Sequence, residues 1–254
     1  MSEDALVLRT DRDTTRVLTL NRPQALNALS RSLAQAIIDA LDEAHRDSGV
    51  RAVVLTGAGN RAFCAGVDLQ EAVDLTVAEI PAWFTLVSAC YARIMVVDKP
   101  VVVALNGVAA GGGYQMGLVA DWRIGHAGTR MTQPEIRAGL PSIMGAYLMR
   151  FHLPLALNQE LSYTGRLMAA DECRALGLLN EVVTAETLLD AAVARADLLA
   201  AQSPAAFRAT KARFRTLVME GFEDAREAAI AGMQAAYAAG EPQRRMRAFL
   251  EARA

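Results

Sequence analysis

No apolar run in this sequence reaches the roughly 20 residues a membrane helix needs. The first ten residues, MSEDALVLRT, are acidic and lack the apolar centre of a secretory leader. Charge of one sign is missing as well. The 26 basic and 28 acidic residues nearly cancel to a net −2, with no basic stripe, so nucleic acid is not an expected partner. Cysteine is scarce: Cys64, Cys90 and Cys173 sit in neither CxxC nor metal-ligand spacing, and they read as reduced thiols of a cytoplasmic protein. The three histidines, His45, His126 and His152, show no paired-ligand spacing, so no metal site is expected and each reads as structural or surface. There is no GxSxG elbow and no GxxxxGK[ST] phosphate loop. Serine-hydrolase and P-loop chemistry are thereby set aside, and neither a membrane nor a nucleic acid is called for.

What the chain has is core. At 254 residues and 53% hydrophobic it can build one large domain or two unequal ones. Leu6–Arg9 and Val17–Asn21 flank the polar Asp11-Arg12-Asp13 and suggest a hairpin. Ser30 can cap a helix to about Arg46, with Leu33, Ile37, Ile38 and Leu41 on one face. Ala52–Leu55 reads as a buried strand feeding a small-residue loop, Thr56–Leu69, and a long helix follows from about Val77 to Val97. Val101–Leu105 is a second buried strand, broken by Asn106-Gly107 before a helix Tyr114–Ala120. Short strands at Trp122–Ile124, Arg130–Met131 and Leu179–Val183 alternate with helical turns, Pro141–Tyr163 (broken at Pro154) and Ala170–Leu176. After Val183 the strands give way to Ala-rich helices punctuated by Ser203-Pro204, Gly240 and Pro242. The division expected is an α/β body over residues 1–185, with stacked strand–strand–helix units, and a helical region over 186–254.

Candidate chemistry gathers at two loops of small residues, each following a buried strand: Ala65-Gly66-Val67-Asp68 and Gly111-Gly112-Gly113. Three glycines at a helix start leave first-turn N–H groups unpaired at the positive end of the helix, a place for an anion or a developing oxyanion. They also allow tight helix–strand packing, and the motif alone does not separate these readings. If the two strands are neighbours, two backbone N–H groups can converge on one oxygen. Glu135, held by Gln133-Pro134 ahead of it, can aim into the same cleft, where apolar surroundings raise a carboxyl pKa toward proton-transfer range. Gly57-Ala58-Gly59-Asn60-Arg61-Ala62 also fits the GxGxxG/A dinucleotide fingerprint. It lacks both a helix immediately after it and a second strand ending in an acidic residue about twenty positions on.

The stretches NRPQALNAL (Asn21–Leu29), LTGAGNRAFCAGVDL (Leu55–Leu69), KPVVVALNGVAAGGGYQMGLVADWRI (Lys99–Ile124), QPEIRAGLP (Gln133–Pro141) and TGRLMAADECRALGLLNEVV (Thr164–Val183) together resemble the enoyl-CoA hydratase/isomerase, or crotonase, family, as does the late MRAFLEAR. The resemblance implies a crotonase-like spiral of ββα units with a C-terminal α-helical region for trimerisation, as a homotrimer or dimer of trimers. It implies an acyl-CoA thioester as substrate and no cofactor beyond the coenzyme A that the substrate carries. It places the oxyanion hole at the N–H groups of Val67 and Gly112, and the acid/base at Glu135. Substrate contacts are implied around Ala25, Leu26, Ala28, Ala65, Asp68, Leu69, Gly111, Pro134 and Leu140, and Trp83, Phe84 and Ile143–Tyr147 are candidates to set acyl length. Gln115 stands where hydratases of the family carry a second glutamate, and a neutral amide cannot take and return a proton. Double-bond isomerisation by Glu135 alone is therefore favoured over hydration with a water held at Gln115. Gln115 can equally brace the loop or line the acyl pocket. A third outcome is a non-catalytic module that binds CoA thioesters. The family's lysine-rich tail is here shortened to Glu251-Ala252-Arg253-Ala254.

Overall fold

The computed structural model describes residues 5–252. The chain opens on a hairpin, β1 (Val7–Arg12) and β2 (Thr15–Leu20), then runs through α1 (Arg31–Arg46), β3 (Ala52–Gly57), β4 (Ala62–Cys64), α2 (Leu69–Ala72) and α3 (Ile80–Val96). The middle comprises β5 (Val101–Leu105), β6 (Val108–Ala110), α4 (Gly112–Leu118), β7 (Trp122–His126), β8 (Arg130–Thr132), α5 (Ile143–Met149) and α6 (Leu155–Thr164). β9 (Met168–Ala169), α7 (Ala170–Ala175) and β10 (Glu181–Val183) precede the helices α8 (Leu188–Ala200), α9 (Pro204–Met219), α10 (Phe222–Ala238) and α11 (Glu241–Glu251).

From β3 to β8 successive strands alternate between two sheets. One sheet has the order β1-β2-β3-β5-β7-β10 and the other β4-β6-β8-β9. From β2 to β10 the neighbours in the first sheet are parallel, as are β4, β6 and β8 in the second. The chain thus lays one strand in each sheet, crosses back through helix, and repeats, which is the ββα spiral expected. β4 and β6 were not expected from the sequence. Each is three residues long, too short to show a period against the glycines around it. The hairpin is also tighter than its polar centre suggests. Asp11 and Arg12 stay in β1, because Asp11 faces Arg16 across the ladder and their side chains pair at 2.8 Å.

β3 and β5, inside the first sheet, are buried on both faces, which explains their unbroken apolar runs. On one face, Leu188, Ala192, Ala196 and Ala200 of α8 form a stripe against Val54, Val102, Ala104 and Ile124. Alanines at every fourth position let that helix lie close. The other face belongs to the main core, in which Tyr91, Tyr114, Phe63 and Leu29 are fully enclosed. This core also takes in Phe222, Ala229, Met233 and Tyr237 of α10. The α9 helix is fastened by Lys211, whose ammonium meets Asp121 at 2.6 Å and the Lys99 carbonyl at 2.9 Å.

Two asparagines organise the turn over residues 57–62. Asn106 accepts from the Gly57 N–H and donates to the Gly57 and Gly59 carbonyls. Asn27, fully buried at φ +54°, accepts from the Arg22 N–H and donates to the carbonyls of Ala58 and Ala62. That turn leads into β4 rather than a helix, and these carbonyls face the asparagines, so the dinucleotide-like motif is a structural turn. Replacing Asn27 with alanine would leave three backbone groups without their side-chain partner in a left-handed position. We expect a loss of about 3 kcal/mol of stability, read as a lower urea midpoint with unchanged slope.

Candidate active site

Three of the four strands of the second sheet, β4, β6 and β8, lie side by side and point the same way. Val67, Gly112 and Glu135 each sit two or three residues beyond the end of one of them. Chain segments leaving the carboxyl ends of parallel strands form the crevice where open α/β sheets bind ligands. Val67, Gly112, Gln115, Glu135 and Leu140 line one cavity there, of about 30 Å³.

Backbone pairing decides how Val67 presents itself. Leu29 donates to the Gly66 carbonyl at 2.8 Å and accepts from the Asp68 N–H at 3.0 Å. Successive residues of an extended strand face opposite ways, so the Val67 N–H points away from Leu29. Gly66 reaches this position with φ +96°, and its backbone lies against Gly112. On the other side, the first bond of α4 runs from the Gln115 N–H to the Gly111 carbonyl, so the Gly112 N–H precedes the helical ladder. A side chain on Gly112 would strike Leu29 at 2.8 Å, and one on Gly113 would strike the Cys64 carbonyl at 2.2 Å. The glycines thus serve close packing, and the Gly112 N–H stands ahead of the helical ladder.

The Glu135 carboxyl is enclosed although the residue as a whole is partly exposed. Oε2 is sealed from solvent without a partner, and Oε1 accepts from Gln115 Nε2 at 3.1 Å. Burial raises its pKa to about 7, opposed more weakly by its own backbone N–H and by the Gln133 amide. Gly111 makes the space: at φ +48° its missing Cβ would lie 2.7 Å from Oε1. Pro134 sets the backbone just ahead of Glu135, at the start of a short 3-10 turn.

The remaining expected residues form a layer behind the Val67 loop and do not line the cavity. Leu26, at φ +53°, accepts from the Ala65 N–H at 3.0 Å, and Ala25 ends the turn before it. Arg22 reaches both the Ala28 carbonyl at 2.7 Å and Asp68 at 2.9 Å. The other Asp68 oxygen caps α2 through the Gln70 N–H, next to Leu69. Asp68 therefore holds the loop. Of the histidines, His152 is half-buried with its ring against the Leu118 carbonyl, its pKa pushed down to about 4 by burial and by Arg123. The three cysteines are buried and unpaired, and no cluster of three metal-ligating groups occurs among the described residues.

The family model described as enoyl-CoA hydratase/isomerase matches residues 11–254. The chain belongs to that family. It is 34% identical over 239 residues to a carboxymethylproline synthase of Pectobacterium carotovorum, covering 94% of this chain and 96% of that protein. It is 33% identical to a short-chain-enoyl-CoA hydratase of Clostridium acetobutylicum, covering 77% and 75%. A solved carnitinyl-CoA dehydratase from Mycobacterium avium superposes with a TM-score of 0.78 at 32% identity, covering 91% and 94%. This is thus a crotonase-fold enzyme of the kind that acts on acyl-CoA, and none of its described helices is long and apolar enough to cross a membrane.

In this family member the cavity also has walls beyond the expected catalytic groups. Trp83, Phe84, Met144 and Gly145 come from the two segments suspected of setting acyl length. Tyr91, Ser142, Ala229 and Met233 were not expected there, and Gln133 was expected only in the Gln133-Pro134 restraint on Glu135. Ala229 and Met233 share a face of α10 across one helical turn, a spacing indistinguishable from ordinary core. The tail residues 253 and 254 lie outside the described residues. Replacing Gly111 with alanine should displace the Glu135 carboxyl and force a left-handed alanine. We expect turnover to fall at least tenfold with about 1–2 kcal/mol of lost stability, measured by steady-state kinetics beside thermal unfolding.

Proposed function

We propose that this protein is a single-base acyl-CoA enzyme, favouring isomerisation of a 3-enoyl-CoA to the 2-enoyl-CoA over hydration. The Glu135 carboxylate removes a proton from C2, the electron pair delocalises onto the thioester oxygen, and the resulting dienolate is held by the Val67 and Gly112 N–H groups. Glu135 then returns the proton at C4 as the double bond moves. No proton is lost, and no cofactor is needed beyond the coenzyme A of the substrate. The observation that carries this reading is one sealed carboxylate with a pKa near neutrality, bonded by a neutral amide where a second acid would stand.

Hydration through a water between Gln115 and Glu135 is the competing use of the same groups, and a cavity of about 30 Å³ has room for about one. A second reading comes from the relative named as a carboxymethylproline synthase, similar along nearly the whole chain. There the enolate carbon would attack an electrophile instead of regaining a proton, which also requires one base and no second acid. We further infer a trimer or dimer of trimers in the cytoplasm. Exposed Phe151, Tyr163, Phe214 and Leu217 support the assembly, and the unpaired buried cysteines support the compartment.

Two measurements test this. Incubated in D₂O, the enzyme should exchange the C2 proton of butyryl-CoA and isomerise a 3-enoyl-CoA faster than it hydrates the 2-enoyl-CoA. Glu135→Gln should lower exchange and isomerisation by about 10²–10⁴, whereas rapid hydration surviving that change refutes the role. Because the base must be ionised, kcat/KM should fall as pH drops below about 7, the value to which burial raises Glu135. Sedimentation should give a mass that is a multiple of three of the 27.2 kDa chain.

A further inference from the structure

Helix α3 turns one face into the core: Ile80, Phe84, Val87, Tyr91 and Ile94 recur every three or four residues and all are buried. The others are hydrocarbon throughout, whereas Tyr91, 1% exposed, brings a hydroxyl to that face. A buried tyrosine hydroxyl ordinarily finds a partner, because its lost bonds to water otherwise go uncompensated. None of the hydrogen bonds among the described residues involves this one. Phenylalanine would fill the same space in the core, so packing does not account for the oxygen.

What the hydroxyl meets is the start of α4. It stands 3.0 Å from the place a Cβ of Gly112 would take. Cα–Cβ bonds of a helix lean toward its N-terminus, so this is the rim at which the Gly112 N–H opens. One residue earlier, a Cβ on Gly111 would lie 2.7 Å from Glu135 Oε1. The phenol and the base therefore flank consecutive glycines, and with Val67 they line one cavity. That space of about 30 Å³ has room for about one water, and so for a single oxygen atom of a substrate. Burial, then Cys90 and Glu135, push the Tyr91 pKa well above its ordinary value, so the phenol stays a neutral O–H beside an ionised base.

We propose that Tyr91 is a third donor to the oxyanion: its O–H bonds the thioester oxygen as negative charge develops there, beside the N–H groups of Val67 and Gly112. The inference rests on the enolate reading above and adds a side chain to its machinery. Tyr91 keeps its proton throughout, and the proton that Glu135 moves is the substrate's. A neutral carbonyl is satisfied by two donors, whereas an enolate oxygen accepts a third, so this bond strengthens as the reaction proceeds.

Tyr91→Phe keeps the ring and deletes the O–H. In the intact protein, kcat for C2 exchange of butyryl-CoA in D₂O should fall about 10–10²-fold, with KM within about twofold. The half-point of the pH profile should stay at about 7, the value of Glu135. The urea midpoint should hold or rise, because the deleted hydroxyl had no partner to lose. The infrared stretch of the bound thioester carbonyl, isotope-labelled to single it out, should move to higher frequency than in the unaltered enzyme. Unchanged turnover, or an unchanged carbonyl stretch, overturns the proposal. So does lost activity with a displaced pH half-point, which assigns the hydroxyl to Glu135, or with a lower urea midpoint, which makes Tyr91 a packing residue. Failure of the enolate reading looks different: the unaltered enzyme then exchanges no C2 proton and leaves the carbonyl stretch as it is in free butyryl-CoA, which sinks both.

Discussion

A carboxylate sealed away from water with no cation among the groups acting on it is the constraint on which this structure turns. Burial alone would push Glu135 far toward its neutral form. What holds it near pH 7 is weak and neutral: a backbone N–H and amide groups from two glutamines. An arginine in that place would drop the pKa and leave a poor base at neutral pH. An empty apolar pocket would raise it further and leave no base at all. The arrangement between those limits depends on Gly111, which supplies the volume the carboxyl occupies, and on Pro134 just ahead of it.

The architecture explains why residues 67, 112 and 135 meet. A ββα spiral returns to the same small sheet once per turn and exits it each time at the same end, so three chain segments distant in sequence become neighbours. The large parallel sheet and the α8 stripe provide rigidity behind them, while the layer of Arg22, Asn27 and Asp68 fixes the loop carrying Val67. Helix α10 then closes the front of the cavity with Ala229 and Met233. Oxyanion stabilisation benefits from such support because dipoles that are already aimed need no reorganisation during reaction.

Much of this was legible beforehand, and the gaps have physical causes. The long buried strands announce themselves as β-branched runs, α1 by its cap and apolar face, and the glycine loops by composition. Glu135 could be picked out because a proline restrains the chain immediately before it. The reason these pieces converge was hidden, since it lies in β4 and β6, three-residue strands with no measurable period. The polar wall was hidden too. Trp83 and Gln133 read as one more aromatic in a helix and one more loop amide, and only packing reveals that both are buried at the cavity. Asp68 shows the converse, since both of its oxygens are spent on the loop.

Gln115 marks the point where chemistry diverges within a common frame. A carboxylate in its place would stand one hydrogen bond from Glu135, and two acids that close cannot both ionise easily; they would titrate as a pair. The amide removes that coupling. When Glu135 is ionised, Gln115 offers it Nε2–H; when Glu135 takes up a proton, the unpaired Gln115 Oε1 provides an acceptor for the new O–H after a local rotation. The same side chain can therefore serve both charge states without exchanging a proton itself. Under the single-base reading proposed above, a site so equipped lends and recovers one proton at neutral pH without a second carboxylate beside the base. On that reading an amide in place of a carboxylate favours enolate formation and leaves the next step to whatever stands beside that enolate.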